Sequence, residues 1–179
     1  MSKIIVLAGS PRLGGNTDLL VDMFVKGATK QNEVEVISVH DYQVNPCTGC
    51  NFCFTREGNL CYQGDDMTKI YAKLAQADIL IIASPVYFYG ISAQLKAVID
   101  RLHAPARNMF KMKKLGMILV GAATLPELFD SILVQQKLIL NFFHLEDAGT
   151  VLVRGAREKG AVSRGDLDRA FEFGRSMGR

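Results

Sequence analysis

The chain reads as a doubly wound α/β domain, a parallel sheet with helices on both faces. Three observations predict this. Short apolar runs such as Ile4-Ile5-Val6-Leu7-Ala8 and Ile79-Leu80-Ile81-Ile82-Ala83 show no polar alternation, as expected of strands buried on both faces. Each run is followed by a segment with apolar residues at helical spacing, which implies a parallel sheet covered on both faces. Glycine-bearing loops follow Ala8 and Val120, and a proline-bearing loop follows Ala83. In an open α/β sheet the ligand site lies beyond the carboxyl ends of the strands, so these three loops are where function is expected.

Taken in order, strand Ile4–Ala8 closes at Gly9. Thr17 to Thr29 places Leu20, Met23 and Phe24 on one helical face, with Thr17 or Asn16 expected as its cap. Val34 to Ser38 is a second strand. A polar, cysteine-rich stretch from Val39 to Gly64 follows, and Asp65 and Asp66 then cap a helix running to about Gln76. Ile79–Ala83 is the third strand and Ser92 to His103 the third helix. Leu115 to Val120 is the fourth strand, and Pro126 to Phe143 a long helix with proline suited to its first turn. Thr150 to Val153 is the fifth strand. Gly155 to Gly160 reads as a surface loop, and Ser163 starts a closing helix from Arg164 to Ser176.

At 179 residues, with 49% hydrophobic and 22% charged residues, the whole chain (1–179) is expected to form one globular domain. A net charge of +3 suits a small anionic ligand and falls short of the basic face that nucleic-acid binding needs. No apolar stretch approaches the roughly 20 residues of a membrane span. The N-terminal apolar run is too short for a signal segment. A cytoplasmic location without membrane or nucleic-acid partners is therefore expected, with the four cysteines reduced, metal-bound or redox-active.

The loop after the first strand, Gly9-Ser10-Pro11-Arg12-Leu13-Gly14-Gly15-Asn16-Thr17, has the composition of an anion cradle. Glycines admit close backbone approach, and the following helix offers unpaired N–H groups and a favourable dipole. Ser10, Asn16 and Thr17 add neutral donors and Arg12 a charged fork. A Walker A loop would need lysine and then serine or threonine after Gly14, where Gly15 and Asn16 stand. A dinucleotide fingerprint fails because Pro11 occupies the place of its second glycine. A single terminal phosphate held without a metal is what remains.

This loop, together with Ser84-Pro85-Val86-Tyr87 and Leu95-Lys96-Ala97-Val98-Ile99-Asp100-Arg101, resembles the NADPH-dependent FMN reductase family of flavodoxin-like proteins. The resemblance implies a five-stranded parallel sheet in the order 2-1-3-4-5, FMN held at Ser10, Arg12, Asn16 and Thr17, and the isoalloxazine ring lying along Pro85, Val86 and Tyr87 with Gly121 completing the pocket. It also implies a homodimer or homotetramer. NAD(P)H would serve as electron donor and a small quinone, nitro, azo, metal-ion or flavin acceptor, or a redox protein, as the destination. No catalytic side chain is expected, because hydride passes from nicotinamide C4 to flavin N5 once the rings stack. His40, His103 and His144 are scattered over unrelated elements and are expected to be structural, as are Lys96, Asp100 and Arg101 on one helix face. Phe88 and Tyr89 are expected either along the ring with Tyr87, or in the core or at a contact between subunits.

The cysteines form Cys47-x-x-Cys50-x-x-Cys53, with Cys61 seven residues further on. Four thiolates so spaced can wrap a [4Fe–4S] cluster, and the pattern is similar to that of iron–sulfur flavoproteins of the same superfamily. The proline that often follows the fourth cysteine is replaced by Tyr62. Three readings stay open: an iron–sulfur electron carrier serving a protein partner, a flavin-only reductase with free thiols, and a flavin-free α/β domain with a zinc-bound loop.

Overall fold

The computed structural model describes residues 1–178. Five strands form one sheet: β1 (Lys3–Ala8), β2 (Glu33–Ser38), β3 (Ile79–Pro85), β4 (Lys114–Val120) and β5 (Glu146–Val153), in the order β2-β1-β3-β4-β5. Every pairing is parallel. The helices are α1 (Asn16–Ala28), α2 (Phe52–Thr55), α3 (Met67–Leu74), α4 (Ala93–Arg101), α5 (Asp130–Phe143) and α6 (Arg164–Ser176). The expected doubly wound, flavodoxin-like topology is present.

The continuous apolar runs explain how the sheet sits between two cores. In β1, Ile5 and Leu7 point into one core with Met67, Ile70, Leu95, Phe129 and Ile132 from α3, α4 and the α5 side. Ile4 and Val6 point into the other, with Leu20, Val21 and Phe24 of α1 and Ala170 of α6. Side chains that alternate faces can all be apolar only because both faces are covered.

α1 and α6 are in backbone contact. A Cβ at Gly27 would lie 2.1 Å from the Phe171 carbonyl oxygen, and one at Gly174 would lie 2.0 Å from the Phe24 carbonyl oxygen. The obstructing atoms are helix backbone and cannot swing away. Gly27→Ala is therefore expected to destabilise the fold by about 1–3 kcal/mol, the scale of core overpacking. Chemical denaturation checks this, and an unchanged midpoint would show that the helices separate freely.

Several elements differ from the sequence reading. α1 starts one residue early, with Gly15 rather than Asn16 or Thr17 at its N-cap and no side chain capping it. β5 begins at Glu146: Glu146 and Asp147 pair with Lys114 and Leu115, and a register shift then leaves Ala148 as an extra residue before Gly149 pairs with Gly116. The exposed, charged start of this edge strand hid it from a reading based on apolar runs. Pro126–Phe129 is a 3₁₀ turn that leads into α5, and α2 is a short helix inside the cysteine segment. α6 follows its signal: Ser163 Oγ accepts from Asp166 N at 3.1 Å, while Ser163 N donates to Asp166 Oδ2 at 3.0 Å.

Candidate functional site

The β1–α1 loop and the loops after β3 and β4 meet at the carboxyl edge of the sheet. They frame a cleft of about 240 Å³. Its floor is the N-terminus of α1. The first N–H groups of a helix have no intrahelical partner, and with Gly15 at the N-cap no side chain takes them. Ser10 closes its own loop, with Oγ donating to Arg12 O at 2.9 Å and accepting from Arg12 N at 3.1 Å. This buried bracket turns the Arg12 backbone, and the Arg12 side chain lines the cleft beside Gly15, Asn16 and Thr17. Thr17 is buried at the same place, and its hydroxyl has no hydrogen-bond partner within the chain among the described residues. Free amides, a free hydroxyl and a cation facing one cavity make an anion site.

Asn16 acts differently from the expected side-chain donor. Its Nδ2 donates to Ala156 O at 3.0 Å and Glu158 O at 2.8 Å, and its Oδ1 accepts from Gly160 N at 2.8 Å. The side-chain amide is spent on fastening the segment 155–160 to the helix start, which leaves the Asn16 backbone N–H for a ligand. That segment reads as a plain surface loop in the sequence, yet it forms the far wall of the cleft with Ala156, Arg157 and Lys159. Lys159 Nζ also donates to Leu13 O at 3.1 Å. With Arg12, these give the lining three cations and no carboxylate. The signal for Arg157 and Lys159 lay in their position one loop beyond the last strand, since no motif marks them.

Pro85, Val86, Tyr87, Gly121 and Ala122 form the remaining wall. Two serines hold it in register: Ser84 Oγ donates to Pro85 O at 2.8 Å and accepts from Ser92 N at 3.1 Å, while Ser92 Oγ donates to Gly9 O at 2.6 Å. The loops after β1 and β3 are thereby bound to the start of α4. A Cβ at Gly121 would lie 2.7 Å from Leu128 Cδ2, so a larger residue there would have to displace that side chain. Beyond Val86 the chain makes a tight turn, Tyr87 N donating to Gly90 O at 2.9 Å and Gly90 N to Tyr87 O at 3.0 Å. Its two central residues, Phe88 (φ 46°) and Tyr89 (φ 63°), are both left-handed, a conformation usual for Asn-Gly and costly for aromatics. Phe88 is 97% exposed at the tip and Tyr89 is 51% exposed, so neither belongs to the core.

The second site is the cysteine segment. Cys47, Cys50, Cys53 and Cys61 are free thiols that line one concavity together with Gln63, Tyr71, Arg101 and His103. Burial raises the Cys53 pKa, and the neighbouring Cys61, Cys47 and Cys50 add to the shift. The Phe52 amide and the Thr48 hydroxyl lower that of Cys50. Among the described residues no group of three or more His, Cys, Asp or Glu side chains is placed to hold a metal ion. Beneath the loop, Asp65 and Arg101 form a buried ion pair, and Asp65 also accepts from Asn45 N at 2.9 Å and Met67 N at 3.2 Å. Burial opposes the Asp65 charge, but the Arg101 bond and these amides outweigh it and hold the carboxyl below its usual range. Tyr71 is pushed up to about 12 by burial and donates to Arg101 O at 2.7 Å. Arg101 is thus a buried strut of the cysteine loop rather than a partner of Lys96 and Asp100, which pair with each other on the surface. His103 Nδ1 meets Asp100 O at 2.6 Å, and His144 ends α5 in the left-handed conformation.

Comparison with known proteins places the chain. The family model for NADPH-dependent FMN reductase matches residues 2–153. An iron–sulfur flavoprotein of Methanocaldococcus jannaschii is 43% identical over 124 residues, covering 68% of this chain and 63% of the relative. A Bacillus subtilis protein that bears the name of an NAD(P)H-dependent FMN-containing oxidoreductase is 33% identical over 164 residues, covering 87% and 86%. The solved Trp repressor binding protein from Bacillus subtilis superposes with a TM-score of 0.70 at 26% identity, covering 95% of this chain and 96% of that one. The chain spans about six-tenths of the length of two iron–sulfur flavoproteins that it matches, 63% and 61%. No helix among the described residues is long and apolar enough to cross a membrane. A phosphate-sized cradle at the start of α1, a flat wall above it and a family match over most of the chain agree: the chain belongs to the NADPH-dependent FMN reductase family.

Proposed function

We propose that the protein is an FMN-dependent NAD(P)H oxidoreductase that passes electrons to a small acceptor. The observation that carries this reading is the uncapped N-terminus of α1 opening into a cleft with three cations and no carboxylate. Bound there, FMN supplies a ring that accepts hydride at N5 and releases electrons singly or in pairs. The chain's own work is placement. The amides of Asn16 and Thr17, the Thr17 hydroxyl and Arg12 hold the phosphate, while Ser10 keeps their loop closed. Pro85, Val86 and Tyr87 give the ring a flat apolar face, and Gly121 admits its edge. Asn16 secures the wall that carries Arg157 and Lys159, whose charges favour the phosphates of FMN and of an incoming dinucleotide.

The test is an anaerobic addition of NADPH to the purified, FMN-loaded protein. Bleaching of the flavin absorbance, and its return when a quinone is added, are expected. A flavin that stays oxidised overturns the proposal.

A second reading is the alternative to the first: the four cysteines hold a [4Fe–4S] cluster and the acceptor is a redox protein. The observation behind it is that all four thiols line one concavity, the number of ligands a cubane needs. The names of the iron–sulfur relatives point the same way. The intact phosphate cradle and the family match count against a flavin-free domain.

The protein is further proposed to work as a homodimer or larger homo-oligomer, the strained turn carrying Phe88 and Tyr89 meeting a second copy beside the ring. A strained turn that holds an aromatic exposed at its tip supports such a contact. Light scattering at micromolar concentration should give at least twice the chain mass, and Phe88→Asp should shift it towards the monomer. A fully active monomeric wild type contradicts this.

A further inference from the structure

α5 is apolar on every side. Of its 14 residues only Asp130 and Lys137 carry charge. Ile132, Leu133, Ile139 and Phe143 pack on the core, yet Val134, Leu138 and Phe142 are 60%, 63% and 53% exposed. These three recur every four residues, so they form one ridge on the outer face of the helix. A helix that is apolar all round is ordinarily a covered one. Single exposed apolar residues are common, but a continuous ridge of them marks an interaction surface. Beside the ridge a groove of about 350 Å³ opens between α4 and α5 over Ile99, Leu102, Leu138 and Phe142, larger than the flavin cleft of about 240 Å³.

The two ends of the ridge carry opposite charge. Asp130 stands one helical turn before Val134, with Glu127 ahead of it, and both are exposed. At the other end Arg107 lies over the Phe142 ring, 5.4 Å from its centroid, held by a hydrogen bond to His103 O. Neither Asp130 nor Arg107 has an ion-pair partner within the chain among the described residues. Glu146, the carboxylate that follows the helix, is already paired with Lys114 at 3.7 Å. Read along its length, Asp130, Val134, Leu138 and then Phe142 with Arg107, the ridge complements its own reverse. We propose that this α5 ridge is the seam between two copies of the chain, antiparallel about a two-fold axis that passes between Val134 and Leu138. Val134 of one copy then packs on Leu138 of the other, and Asp130 of one meets Arg107 of the other, each contact made twice. The antiparallel helix dipoles add to the attraction. Ser131 Oγ donates to Tyr89 O, so the turn that carries Phe88 sits beside the first turn of α5. The same axis brings that turn towards the groove end of the second copy. The inference rests on the reading above that the chain self-associates, and it names the surface. A partner of another sequence would account for the exposed ridge but not for its self-complementary charges.

The experiment is sedimentation equilibrium on the FMN-loaded full chain, with bound flavin as the check that each variant is folded. Wild type is expected to sediment as a dimer or a multiple of one. Leu138→Glu sets charge into the apolar seam from both copies and is expected to raise the dissociation constant by at least about thirtyfold, with FMN retained. Arg107→Glu and Asp130→Lys each place like charges in both end contacts and are expected to raise it about tenfold. Mixed in equal amounts, these two variants are expected to associate nearly as tightly as wild type, because each contact then joins opposite charges. A mixture no tighter than the single variants shows that the charges act within one chain, and overturns the inference. Leu138→Glu that holds FMN and associates as wild type does overturns it too, and leaves self-association through another surface standing. A wild type that is monomeric at micromolar concentration overturns both. Should Leu138→Glu lose its FMN, the charge variants decide alone: single variants as tightly associated as wild type, or no recovery on mixing, overturn the seam.

Discussion

Serine at any one of Cys47, Cys50, Cys53 or Cys61 is expected to remove most of the iron, sulfide and broad brown absorbance from anaerobically prepared protein while FMN stays bound. A hydroxyl is a far poorer iron ligand than a thiolate, and a cubane needs all four corners held. The flavin should be indifferent because the two sites share no lining residue. The cleft is built from the loops after β1, β3, β4 and β5, and the cysteine concavity from residues 47–63 with Tyr71 and the end of α4. Wild type is expected to carry iron and sulfide near four of each per chain, as a cubane requires. Wild-type protein without iron, and serine variants that keep full NADPH oxidation, would return the protein to flavin-only chemistry on a small acceptor.

Arg12→Ala is expected to weaken FMN binding by about 1.5–3 kcal/mol, the worth of a hydrogen bond to a charged group. Riboflavin, which lacks the phosphate, should bind the variant and the wild type alike. The fold should tolerate the change, because the Arg12 side chain reaches into the cleft and only the backbone of that residue closes the loop with Ser10. Titration of both ligands against both proteins checks this. Equal losses for FMN and riboflavin would show that Arg12 does not touch the phosphate.

The fold was legible because its strongest signals are local. Ile4–Ala8 and Ile79–Ala83 could be buried on both faces only in the middle of a parallel sheet, and they flank the point where strand order reverses. Ser163 and Asp166 spell a capping box, and α6 begins there. The phosphate loop was legible for the same reason: a strand, a glycine-rich turn and a helix start are contiguous in sequence. Other features depend on contacts between distant residues. Asn16 has the composition of a phosphate donor, but its side chain is claimed by carbonyls 140 and 142 residues away. Arg157 and Lys159 enter the cleft only because that contact holds their loop in place. Arg101 reads as one member of a charged helix face, and only the packing of α4 under the cysteine loop buries it against Asp65. The charged start of β5 escaped because an edge strand need not be apolar. Long-range polar contacts leave no periodic trace in a sequence, and three of the four loops that build the cleft were visible while the fourth, after β5, was not.

The most direct measurement is a crystal structure of the FMN complex. The phosphate is expected against the free amides at the start of α1 and beside Arg12, with the ring along Pro85, Val86 and Tyr87 and its edge at Gly121. FMN seated anywhere else, or a phosphate that leaves the Asn16 and Thr17 amides untouched, would contradict the assignment of this cleft as the flavin site.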